Sequence, residues 1–177
     1  MLEFYLVYDK VTGEILSRNS GPPGAAIVAP DREDRGNFIV PYDIWDSSPL
    51  DLDGIKALGY LQIDAEAERF RLQYLSPGAG QMMTYMYKAN EAKAYKADPA
   101  ADVPFLAAES RALGIPLDVL VDDVLARVQD WATIGTHVEV KRLNAKAAVA
   151  EADNLAKLAL ALVVDWRPPT TEALSQS

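Results

Sequence analysis

Several residues in this 177-residue sequence have types and spacings that could do chemistry, and each implies a different device. His137 is the only histidine, so any Ser-His-Asp relay would have to run through it. It lies between Thr136 and Val138 inside a long helical pattern, in a chain without cysteine and without a nucleophile-elbow motif, so a helix-surface or interface histidine is the better reading. Asp51-Leu52-Asp53-Gly54 has the spacing that opens a calcium loop, but the further oxygen ligands and the closing glutamate are missing. A solvated acidic turn accounts for it. Gly78-Ala79-Gly80 has the glycines of a phosphate loop, yet no Lys-Ser or Lys-Thr follows and the dinucleotide fingerprint is incomplete. A turn between helices explains the same glycines. Carboxylates are abundant, and any two could meet on folding, so the sequence singles out no general acid and base. It assigns no catalytic, cofactor-binding or metal-ligating residue and implies no cofactor.

Two groups of residues suit contact with another protein instead. Met82, Met83 and Met86 stand beside Tyr85 and Tyr87, and flexible thioethers next to phenol rings make an adaptable binding face. Their helical spacing suits a core as well, and favours it. Tyr42 and Trp45 fall in an acidic connector, where aromatic rings either pin the segment to its own domain or meet a partner; pinning is the simpler reading. Tyr42, Trp45, Met82, Tyr85 and Met86 are thus the candidate partner-binding residues.

Composition narrows the class of partner. Half of the residues are hydrophobic and 24% are charged, which argues for a folded chain. A net charge of −9 argues against nucleic acid, whose phosphates demand clustered Lys and Arg, and against an anionic membrane surface. The absence of cysteine removes disulfides and thiolate zinc sites but does not identify a compartment. The first residues lack a basic stretch and a long apolar run, and residues 155–166 are too short to span a bilayer and contain Lys157 and Asp165. The expectation is a soluble protein without membrane insertion.

The elements that must position these residues change character along the chain. Residues 4–8 are aromatic and β-branched, residues 9–13 supply turn chemistry and residues 14–17 resume an extended pattern, which predicts a β-hairpin with a loop longer than two residues. Gly21-Pro22-Pro23-Gly24 stops regular structure. Residues 25–29 and 37–40 read as short strands around a charged loop, and residues 41–53 as an irregular connector. Residues 54–60 read as a helical turn or a loop, with Leu61 and Ile63 in a last strand.

Helices follow. Asp64 suits an N-cap for a helix through Leu75, with Glu66 and Glu68 in its first turns. Residues 76–80 break the chain, because proline lacks an amide donor and glycine tolerates positive φ. Met82, Tyr85, Met86, Ala89 and Ala92 predict a helix to about Ala97, ended by Asp98-Pro99. Pro104 and Pro116 suit first-turn positions, placing helix starts near Val103 and Ile115, with Gly114 as a C-terminal cap. Val121, Val124, Val128, Trp131, Gly135 and Val138 predict a long amphipathic helix with one buried face, and residues 145–152 are helix-prone. Leu155, Leu158, Leu162 and Trp166 make a final stripe that Pro168-Pro169 ends, before a polar tail. The fold class is α+β: a small β-rich N-terminal attachment region over 1–63, a helical hairpin or bundle over 64–167, and a tail over 168–177. Lateral or oligomeric packing suits such a bundle.

Residues 71–92, Arg-Leu-Gln-Tyr-Leu-Ser-Pro-Gly-Ala-Gly-Gln-Met-Met-Thr-Tyr-Met-Tyr-Lys-Ala-Asn-Glu-Ala, resemble a segment of small tail-associated proteins of tailed bacteriophages and prophages, the tail fibre and tail fibre-like proteins. The resemblance continues through residues 129–135 to Arg142, and the opening, with residues 11–16 and 21–24, is similar to the N-terminal β region of the same group. It implies a non-enzymatic structural component of the virion tail, made in the host bacterial cytoplasm: a tail fibre or a fibre/tail-tip adaptor. The implied partners are other phage tail proteins and further copies of the chain. A tail fibre assembly chaperone, absent from the mature virion, is the alternative. A glycan hydrolase using paired carboxylates ranks third.

Overall fold

The computed structural model describes residues 2–28, 33–75 and 78–168. The expected hairpin is formed by β1 (Glu3–Asp9) and β2 (Ile15–Gly21), paired antiparallel with Leu6 opposite Arg18. Its loop is held by Asp9, whose Oδ1 accepts from the amides of Thr12 and Val11, both at 2.8 Å. Those two bonds to the charged form, Thr12 first, hold the Asp9 carboxyl below the usual carboxylate range. Gly13 completes the turn with a φ of 76°, a conformation costly for any residue with a Cβ. β3 (Arg35–Val40) pairs antiparallel with the other side of β1, so β1 is central in a three-stranded sheet ordered β2-β1-β3. Leu6 and Tyr8, two residues apart on β1, are buried on one face, as the strand period requires.

Four expectations for the segments around this sheet are corrected. Of the strand expected over 25–29, Ala29 lies outside the described residues and the rest is a helical turn, α1 (Ala25–Val28). The Glu3 carboxylate accepts from the amides of Gly24 (3.2 Å) and Ala26 (2.9 Å), which fixes the turn from a distant strand. The expected irregular connector contains α2 (Tyr42–Asp46) and the start of α3 (Leu52–Arg71). No strand holds Leu61 and Ile63, and Asp64 is not a cap: all three lie within α3, a helix of 20 residues. Ile55, Gly59, Ile63 and Ala67, each four residues after the last, are its buried face. Asp51 is the cap, its Oδ1 accepting from the Gly54 amide at 2.9 Å.

The later helices are α4 (Ala79–Ala97), α5 (Pro104–Leu113), α6 (Leu117–Glu151) and α7 (Leu155–Ala161). α6 runs 35 residues without interruption at Gly135, where the atoms nearest to an added Cβ belong to the Trp131 ring, 3.5 Å away. α7 starts at Asn154, whose side chain accepts from the Lys157 amide at 2.9 Å, and ends before Trp166. The stripe expected to reach Trp166 therefore leaves the helix, and the Trp166 indole N–H donates to Glu66 at 3.3 Å.

Contacts group the described residues into two compact units that do not follow the linear order of the chain: those within 1–67 with 140–166, and those within 68–139 with Arg167 and Pro168. In the first, Leu6, Val40, Ile55, Ile63, Val149 and Leu158 form one core, joining the sheet to α3, the end of α6 and α7. Gly59 lets this core close, because an added Cβ would stand 3.1 Å from Leu162. Beside it Asp64 accepts from Lys146 Nζ (2.6 Å) and Arg142 Nη1 (2.8 Å), which together lower its pKa, Lys146 contributing more. In the second unit, Ala92, Val103, Leu106, Leu120 and Val121 form a separate core. Among the described residues no helix is long and apolar enough to cross a membrane.

Candidate functional site

The second unit builds a rigid corner between α4 and α5. Pro104 occupies the first helical position of α5, where its missing N–H costs nothing, but Val103 before it offers no side-chain cap. Glu91, on α4, supplies the cap instead. Its Oε1 accepts from the Phe105 amide at 3.1 Å and its Oε2 from the Leu106 amide at 2.9 Å. The carboxylate thus satisfies two of the amides that a helix start leaves open, and it meets the positive end of the α5 dipole. Lys88 Nζ donates to Glu109 Oε1 at 2.8 Å, a second tie between the same helices. Lys96, ion-paired with Asp122 at 2.6 Å, has its pKa raised by that carboxylate. Gly114 ends α5 in the left-handed conformation, as expected.

This corner presents an apolar surface to solvent. Tyr87 stacks on Phe105 with ring centroids 5.6 Å apart and planes 11° from parallel. Met82, Met83, Tyr85, Met86 and Tyr87 are all exposed, Met86 by 60% and Met83 by 57%. At 100° per residue these five cover an unbroken arc of roughly 200° around α4. The core reading that helical spacing favoured for the methionines is therefore corrected. Among the described residues, the unit's core holds α4 only at Ala92 and Tyr95, which leaves the turns before Lys88 outside it. The sequence shows a matching feature: residues 72–87 carry no charge. Ser76 and Pro77, in the expected break, lie outside the described residues; Gly78 follows with a φ of 122° and α4 begins at once, so the glycines serve a turn before a helix.

The first unit holds the other aromatic candidates. Phe4 of β1 contacts Tyr42 and Trp45 of α2 at centroid distances of 5.1 and 5.3 Å, and Tyr42 stacks on Trp45 at 5.9 Å. The Arg18 guanidinium donates to the Trp45 carbonyl and, at 2.7 Å, to the Ser47 carbonyl, which fastens the end of α2 to β2. Trp45 is a packing residue first. Tyr42 is 55% exposed and, with Leu2, Ile39 and Leu58, lines a shallow apolar groove of about 550 Å³.

The residues considered for chemistry are dispersed. His137 lies on α6 with its Nε2 buried and without a hydrogen-bond partner, so it is engaged in no relay through that nitrogen. Asp51 is occupied as a helix cap. Among the described residues no three His, Asp or Glu side chains converge. Phe105 and Glu91 were not singled out by sequence reasoning. Phe105 sits one residue from the buried Leu106 in an unremarkable pattern, and Glu91 acts on amides 14 and 15 residues away, which no local motif marks.

Compared with models of protein families, with curated proteins and with solved structures, the chain matches none.

Proposed function

We propose that this chain is a non-enzymatic structural component of a bacteriophage tail, an attachment protein of the tail fibre or fibre/tail-tip adaptor kind. The observation that carries the reading is the exposed methionine-tyrosine surface of the first turns of α4, in a stretch, residues 79–87, that carries no charge. A stretch of methionine and tyrosine facing solvent is costly for an isolated chain and useful to one that binds another protein. It falls inside residues 71–92, the block that resembles phage tail-associated proteins, and this overlap links attachment to the tail. The partners on this reading are other tail proteins, and the location is the virion.

The three exposed methionines favour one second reading, a tail fibre assembly chaperone, because flexible thioethers adapt to an unfinished and changing surface. Quantitative mass spectrometry of gradient-purified virions, run beside the infected-cell lysate, separates the two. A constant low-integer copy number per particle is the result expected of a tail component. Abundance in the lysate with absence from virions refutes it in favour of the chaperone.

A further inference from the structure

We propose that Met82, Met83 and Met86 form an oxidation site through which peroxide-class oxidants switch the α4 surface from apolar to polar. The proposal rests on reading this surface as an attachment surface and adds how its attachment is regulated.

Sulfur is concentrated in this chain. It has four methionines and no cysteine, so no thiol competes for an oxidant. Three of the four fall within residues 82–86, in the first turns of α4. Met82 is 37% exposed, Met83 57% and Met86 60%, so a small oxidant in solution reaches all three side chains. Among the described residues, neither core contains a methionine. Oxidation here therefore adds polarity to a surface and removes nothing from the packing that holds each unit. That separates a switch from the usual lesion, in which a buried methionine becomes polar and its core is disrupted.

The chemistry is a two-electron transfer. A thioether lone pair attacks one oxygen of hydrogen peroxide, the S–O bond forms and the O–O bond breaks. The departing hydroxide takes the proton from the sulfur-bound oxygen and leaves as water. Sulfur is oxidised to the sulfoxide and the peroxide is reduced. Each sulfoxide carries a strong acceptor oxygen where the thioether offered only a weak one. Three of them, interleaved with Tyr85 and Tyr87, make the surface costly to strip of water, and losing that water is what an apolar contact requires. The net charge does not change, so the effect falls on apolar contact. Reductases specific for each sulfoxide epimer restore the thioether, which makes the change reversible.

The test treats the full chain with millimolar hydrogen peroxide, maps the peptides by mass spectrometry and uses retention on a phenyl matrix as the probe of surface apolarity. Each of the three residues is expected to gain about 16 Da, Met83 and Met86 first, at rates within about threefold of free methionine. The oxidised protein should leave the phenyl matrix at higher salt, keep its helical circular dichroism and shift its urea midpoint by less than about 0.3 M. The two methionine sulfoxide reductases together, with dithiothreitol, should restore both mass and retention. The triple variant Met82→Leu, Met83→Leu and Met86→Leu keeps an apolar helical surface without sulfur, so its retention should not respond to peroxide. Because it keeps Met1, it also reads any effect of that residue. Rates more than about tenfold below free methionine, retention unchanged by oxidation, or an equal response in the triple variant overturns the proposal. So does loss of the helical spectrum on oxidation, or retention that the reductases do not restore. The virion measurement stands apart from these outcomes. Absence from virions removes the tail reading and leaves the oxidation site in place, whereas an unresponsive surface removes the switch and leaves the tail reading.

Discussion

Glu91→Ala would show how far one carboxylate holds the α4–α5 corner together. Glu91 accepts from the amides of Phe105 and Leu106, and Val103 has no side-chain oxygen with which to replace it. Losing a helix cap costs about 1 kcal/mol, and losing a negative charge at a helix start adds about 0.5 kcal/mol. The alanine variant should therefore lose about 1.5 kcal/mol, whereas Glu91→Gln, which keeps one acceptor and drops the charge, should lose about half of that. With a urea m-value of about 2.5 kcal/mol/M, the alanine change moves the midpoint down by about 0.6 M. Hydrogen exchange adds location: the amides of Phe105 and Leu106 should lose protection, while the Leu6 amide, in the other unit's sheet, should not. If Glu91→Ala shifts the midpoint by less than about 0.2 M and leaves both α5 amides protected, the capping argument is refuted. An equal effect of alanine and glutamine would instead assign the whole loss to charge.

Three further outcomes follow from the same geometry. Gly114→Ala should lower the midpoint by an amount equal to about 1 kcal/mol: its φ of 67° disfavours a Cβ, and with nothing within 4 Å the cost is conformational alone. Leu158→Ala, at a fully buried position in the sheet-side core, should cost about 3 kcal/mol in chemical denaturation, the lost transfer energy plus the cavity left behind. For Asp64 the folded pKa is lowered by Lys146 and Arg142, so its contribution is present above the unfolded pKa and disappears as pH falls through the folded value. Asp64→Asn should accordingly be less stable than wild type at pH 7 by about 0.5–1 kcal/mol, a small figure because the carboxylate is 45% exposed, and the gap should close as pH falls below the usual carboxylate range.

The parts of this fold legible in the sequence are those whose determinants are local. The β1–β2 hairpin was marked by Asp9 and Gly13, and α5 by Pro104 and Gly114, because turn and cap residues act within a few positions of themselves. The errors arose where a distant group decides the matter. Ala25 and Ala26 form a helical turn because Glu3 supplies its capping acceptors across 21 to 23 residues. Residues 61–63 look extended in isolation, but the four-residue spacing from Ile55 to Ala67 buries a continuous helical face once α7 packs over Gly59. Asp64 had the residue type of a cap, yet its role is set by two cations on α6, 78 and 82 residues later.

The candidate face poses a different problem, since an apolar helical stripe is the same signal whether it is buried in a chain or between chains. What separates the two is the rest of the helix. A core stripe is opposed by charged residues that keep the far side in water, as Asp118, Asp122, Arg127 and Asp130 do on α6. The first turns of α4 have no such counterpart: no charge interrupts residues 72–87 on any side, and the exposed arc is roughly 200° wide where a single packed face needs about 100°. Packing explains why that width survives folding. α5 has ten residues and spans about 15 Å, whereas α4 has nineteen and spans about 28 Å, so α5 can cover little more than half of its neighbour. α5 starts opposite Glu91 and runs back past Lys88, so it covers one side of the earlier turns of α4, and the sides it leaves open carry the methionines and tyrosines. A helix covered on one side only, with methionine and tyrosine exposed on the sides left open and no charge among residues 79–87, has the character of an attachment surface rather than of a core stripe, which is what the proposed reading uses.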